Sequence, residues 1–324
     1  MAPLGFLDMH TACMVSTYNL YVKHGKQPPS EEEPNMTPTY TAADTAVFER
    51  RTAELAPGRI AYREAGEGPP VVFVHGFLVD GRLWDGVASH LAASHRCILP
   101  DWPMGSHRQA MRPDADLSPP GMADLIDSLL AELGLEDVTL VANDSGGAIS
   151  QVLVTRHPDR IGRLVLTDCD CYDNFPPKPF GPVARIARLP GLLAAMLAPM
   201  RFDRARQMAF RPFAKSAVDP ALLEEWVTPA RRDRGIRRDA TKFFAGMDKR
   251  HTLAAAERFP AFNKPVLLAW APGDRVFPMR YAEQLARDFP DARLEPVEDA
   301  ATFVSVDQPE RLAALVSGFI AESA

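Results

Sequence analysis

The chain has 324 residues, 46% of them hydrophobic, which is enough to bury a sizeable core and excludes disorder along the whole length. With 36 Lys and Arg against 42 Asp and Glu the net charge is −6, which argues against nucleic acid as the main partner. No apolar run approaches the length of a membrane span, so no membrane partner is expected.

Residues 1–40 differ from the rest. They lack the basic start, apolar block and small-residue cleavage site of a signal peptide, and "GKQPPSEEEPNMTP" reads as a flexible extension. Met36 is a candidate initiator within it. The four cysteines, Cys13, Cys97, Cys169 and Cys171, show neither a disulfide framework nor a metal spacing, so reduced thiols and a cytoplasmic location are expected.

From about residue 41 short apolar strands alternate with amphipathic helices, the pattern of a mostly parallel sheet covered on both faces. The segment "TAVFERRTAELAPGRIAYREAG" reads as an antiparallel hairpin with its turn marked by Pro57-Gly58. Buried strands follow at 71–75, 96–101, 138–143 and 163–168, and "GMADLIDSLLAELG" carries apolar residues at helical spacing. The interval 172–260 contains no convincing strand, several helix-like pieces and many aromatics, and reads as an inserted helical cap. The run "RRDRGIRRD" inside it reads as a solvated helix face. Strands at 265–270 and 292–297 and a closing helix, "PERLAALVSGFIAES", complete the core, which spans 41–171 and 261–324.

The stretch "VTLVANDSGGAIS", 138–150, reads as a sharp strand-to-helix turn of the kind that presents a nucleophile. Such a turn needs small residues two before and two after its tip. Asp144 at the tip puts Ala142 and Gly146 there; Ser145 would put Asn143 and Gly147 there, a poorer steric fit. Helix capping by Asp144 is compatible with the same geometry.

Together with "HGF" (75–77), "DWPMGSH" (101–107) and "WAPGD" (270–274), this turn makes the chain resemble an α/β-hydrolase-fold protein with a helical cap. The aspartate at the tip is similar to that of the haloalkane dehalogenases and epoxide hydrolases. The resemblance implies that Asp144 attacks a carbon and forms an ester, with the Phe77 and Ser145 amides as oxyanion hole. It implies Asp274 as the orienting acid, with Asp170 as an alternative. It implies a small apolar organic substrate of haloalkane, epoxide or ester type, no cofactor and no metal. Substrate contacts are assigned to His75, Gly76, Trp102, Phe175, Trp226 and Thr302.

The resemblance fails at the catalytic histidine. Its slot, in "EDAATFVSVDQPERL", holds Thr302, and no histidine follows His251. Threonine cannot deprotonate water near pH 7. His107 is the candidate substitute; with the family's strand order it lies two strands, roughly 10 Å, from Asp144. Two other readings keep the pocket without hydrolysis: Asp144 as general base in a lyase or isomerase, or an inactive ligand-binding relative. Oligomeric state is not legible.

Overall fold

Residues 48–178 and 180–323 are described by the structure, a computed structural model; the 1–40 extension, Met36 and Cys13 lie outside them. Strands β1 (Glu49–Leu55) and β2 (Gly58–Ala65) form the expected hairpin. Leu55 opposes Gly58, so Ala56 and Pro57 make its two-residue turn. β1 is the sheet edge, and its exposed Glu49, Arg50 and Arg51 suit a strand whose outer side has no neighbour.

Six further strands complete the sheet: β3 (Pro70–Val74), β4 (Arg96–Pro100), β5 (Val138–Asp144), β6 (Ile161–Cys169), β7 (Val266–Trp270) and β8 (Ala292–Pro296). The order is β1-β2-β4-β3-β5-β6-β7-β8, with β2 antiparallel to its neighbours β1 and β4 and the remaining pairs parallel. The central strands are apolar runs because both faces are covered. Alternation sends Val72, Val74, Leu140 and Ala142 into one apolar cluster, and Val71, Phe73 and Val141 into the other.

On the chain between these strands lie helices α1 (Asp85–Leu91), α2 (Pro119–Glu132) and α3 (Ser145–Arg156). The β6–β7 interval holds six helices and, among the described residues, no strand: α4 (Phe180–Ile186), α5 (Leu192–Leu197), α6 (Asp203–Phe210), α7 (Pro220–Arg232), α8 (Arg234–Gly246) and α9 (Lys249–Ala256). After β7 come α10 (Met279–Asp288), α11 (Val304–Asp307) and α12 (Pro309–Glu322). Helices α2, α3 and α10 cover one face; α1 and α12 cover the other.

The basic run differs from its reading as one solvated face. Asp233 ends α7 and caps α8, accepting from the Gly235 and Ile236 amides, so the run straddles a helix junction. Ile236 and Asp239 within it are buried. Among the described residues, Cys97, Cys169 and Cys171 are free and buried, and no helix is long and apolar enough to cross a membrane.

Candidate active site

Strand β5 runs straight into α3, and the reversal is absorbed at Asp144, whose φ of 52° and ψ of −136° are costly for a residue with a side chain. The close crossing explains the small neighbour. A Cβ on Gly146 would lie 2.5 Å from the His75 carbonyl oxygen. Asp144 is partly open although the rest of β5 and all of α3 as far as Val154 are buried.

The Phe77 and Ser145 amides, the expected oxyanion pair, lie beside the Asp144 carboxylate and favour its charged form. Phe77 N–H also lies 3.0 Å from Ser145 Oγ, which accepts from it. Burial pushes the Asp144 carboxyl up to about 7, against those two amides, and the charge of Asp274 adds to the rise. Gly76 is pressed against the carboxylate; a Cβ there would sit 2.0 Å from Asp144 Oδ2. The Phe77 ring stacks on Phe244 at 5.2 Å and tilts against Phe243 at 6.1 Å, so α8 of the insertion reaches the residue beside the turn.

Thr302 is fully buried and donates from Oγ1 to Asp274 Oδ2 at 2.6 Å. Asp274 Oδ1 accepts from Val276 N at 2.6 Å and Phe277 N at 3.0 Å. A third member, Asp168, is not apparent from sequence because it ends an ordinary strand. Its carboxyl accepts from Ala271 N. Burial and then the Asp274 charge hold Asp168 well above the usual carboxylate range. Asn143 ties this cluster to β5, donating to Thr167 Oγ1, the Asp168 carbonyl and the Thr302 carbonyl at 2.6 Å. Asp274 thus accepts three hydrogen bonds without an imidazole.

Asp170 stands apart from Asp274. Its amide donates to the Asp144 carbonyl at 3.3 Å, and neither carboxyl oxygen has a hydrogen-bond partner among the described residues. Burial, reinforced by the Asp144 charge, pushes its carboxyl well up.

The remaining residues singled out in the sequence find other partners. His107 Nδ1 accepts from Gly105 N at 3.4 Å, and Nε2 faces Asp239 Oδ2 of α8 at 3.3 Å. Its ring therefore bridges a core loop to the insertion, and neither nitrogen is free to serve as base toward Asp144. His75 Nδ1 donates to the Gly76 carbonyl and Nε2 accepts from Trp102 N, both at 2.8 Å. Burial holds this ring down to about 4, neutral at pH 7, as a brace for the 75–77 turn. Trp102 is buried and donates to the Phe73 carbonyl. Trp226 is buried and donates to Asp80 Oδ1 at 3.0 Å. Phe175 is packed in the apolar cluster that contains Phe243 and Phe244. All three are packing and anchoring residues here, because their polar or apolar surfaces are already taken up. Among the described residues no group of three His, Cys, Asp or Glu is arranged to hold a metal.

The model of the alpha/beta hydrolase fold family matches residues 69–309, from β3 to the start of the closing helix. The chain belongs to that family. Haloalkane dehalogenase 2 of Mycobacterium tuberculosis is 26% identical over 272 residues, covering 83% of this chain and 94% of the relative. A cis-3-alkyl-4-alkyloxetan-2-one decarboxylase of Shewanella oneidensis is 25% identical over 287 residues, covering 85% and 89%. The haloalkane dehalogenase DatA of Agrobacterium tumefaciens shares the fold at a TM-score of 0.73 with 20% identity, over 88% of this chain and 100% of the other. Proteins named as haloalkane dehalogenases are thus among those the chain resembles.

Proposed function

We propose that Asp144 is the nucleophile of an enzyme that acts on a small or medium apolar substrate of haloalkane, epoxide or ester type beneath a helical cap. The observation that carries this is the strained Asp144 turn, partly open, with the Phe77 and Ser145 amides beside its carboxylate. Attack by a carboxylate oxygen on a saturated carbon forms a carbon–oxygen bond while halide departs with its electron pair, or the epoxide carbon–oxygen bond opens to an alkoxide, and an alkyl ester remains on Asp144. The aromatic contacts of Phe77 with Phe243 and Phe244 suit an apolar substrate and exclude water.

A second reading, in which the same pocket works without hydrolysis, is favoured by the Thr302–Asp274 bond. The slot of the base holds a hydroxyl already committed to Asp274, so no side chain there activates water. A reaction in which Asp144 acts as nucleophile or general base and no water is consumed suits such a site. The Shewanella relative is named as a decarboxylase, and loss of carbon dioxide consumes no water.

The test is intact-protein mass spectrometry after incubation with apolar halides, epoxides and strained lactones. An adduct that maps to Asp144 and is absent in Asp144→Asn is expected; no adduct and no turnover with any of them would count against the nucleophile. Solvent labelled with heavy oxygen separates the two readings, since hydrolysis puts the label into product. Thr302→His, beside the intact Asp274, is expected to raise label incorporation by about 10²-fold or more, the usual range for a positioned general base.

A further inference from the structure

The insertion presents an outer layer unlike the rest of the surface. Five of the six large hydrophobic residues exposed among the described residues, Phe180, Ile186, Leu189, Phe202 and Met208, fall in α4–α6 and the turns between them. Leu189 and Phe202 are each 57% exposed and Met208 60%. The same segment, 178–211, contains seven Lys and Arg and one acid, Asp203, in a chain whose net charge is −6. Arg185, Arg188, Arg204 and Arg211 are exposed, and none has an ion-pair partner among the described residues. Arg201 lies over the Phe202 ring at 4.5 Å, a cation beside an exposed aromatic.

Unpaired cations alternating with exposed apolar side chains suit the boundary between lipid headgroups and acyl chains. There the apolar groups leave water and the guanidinium groups meet phosphate. A surface that met only water would carry mixed charge and few such hydrophobes. A protein partner of ordinary composition would not require this one-sided charge. The layer also backs onto the site: Ala184 of α4 and Ala187 just after it belong to the apolar cluster that contains Phe243 and Phe244.

We propose that α4–α6 form a docking face for an anionic lipid surface, which holds the insertion, and the apolar site beneath it, against the membrane. No membrane span is needed, because contact is made by side chains of short surface helices. The proposal rests on the fold and the surface, and not on the chemistry assigned to Asp144.

Co-sedimentation of the full-length chain with extruded vesicles tests it, comparing equimolar phosphatidylglycerol and phosphatidylcholine with phosphatidylcholine alone. Binding is expected on the anionic vesicles, with a steep fall as salt rises. One cation near an anionic surface contributes about fivefold to partitioning. Arg185→Glu with Arg188→Glu is therefore expected to weaken binding at least tenfold, and Ile186→Ser with Leu189→Ser by a similar factor. Both doubles alter exposed positions, so unchanged far-ultraviolet circular dichroism accompanies the loss. Absence of enrichment on anionic vesicles, or enrichment that survives both doubles, would overturn the proposal. So would a concentration-dependent dimer that Ile186→Ser with Leu189→Ser dissolves while vesicles bind nothing, which would assign the face to a second copy.

Discussion

Asp144 is placed where its charged form is disfavoured, with a carboxyl near 7 because burial outweighs the pull of the neighbouring amides. Its folded value lies above the unfolded one of about 3.9. The sign follows: relative to the unfolded chain, the native state is favoured fully below about pH 4, and that advantage is lost as pH rises through 7. Asp144→Asn is therefore expected to be more stable than the parent at pH 8, by on the order of 2 kcal/mol, with little difference at pH 4. Thermal unfolding of both proteins across that range checks it; a gap that is constant or widens toward acid would contradict the assignment. Activity needs the anion, so it should rise with pH through the same value of about 7. At this scale Asp144 was legible from the small residues around it, and Asp274 and Thr302 from the resemblance. Asp168 was not, since a strand-end acid is set apart only when folding buries it beside a second carboxylate.

Helix α8 links the insertion to the core through one buried carboxylate. Asp239 Oδ2 accepts from Met111 N at 2.7 Å and faces His107 Nε2, while Oδ1 takes two bonds from Arg238. Removing it leaves the Met111 amide and the His107 ring without their partner in a buried place. Asp239→Ala should cost about 3 kcal/mol and speed hydrogen exchange along α8 more than along β5. Exchange that rises equally in both elements would mean that Asp239 holds the whole fold rather than the helix. Strands β3 to β7 were readable as apolar runs bounded by turn residues, whereas the edge strand β8 carries Arg293 and Glu295 and is only half-buried. The role of His107 was not readable, because the element it meets lies 132 residues further along the chain.

At the scale of the molecule, insertion and core are welded rather than hinged. Both apolar clusters draw side chains from each: Phe243 and Phe244 join Val72 and Leu140, and Trp226 and Ile236 join Val71 and Phe303. Trp226 adds a hydrogen bond to Asp80, whose carboxyl is held below the usual range by Arg82 although burial opposes it. Unfolding is therefore expected to be one transition, and Trp226→Ala should lower it without splitting it. A loss of about 3–5 kcal/mol is expected for that cavity, or roughly 10 °C in a chain of this size. Two resolved calorimetric transitions would show that the insertion melts alone. What the residues determined by themselves was local: strand runs, the tight turn at Asp144 and the absence of a histidine at position 302. Those depend on side-chain size, periodicity and near neighbours. Only the tertiary structure decided that Thr302 donates to Asp274, and that His107 and Trp226 anchor the insertion. Hydrogen-bond partners and burial are set by segments far apart in the chain, and no spacing along it records them.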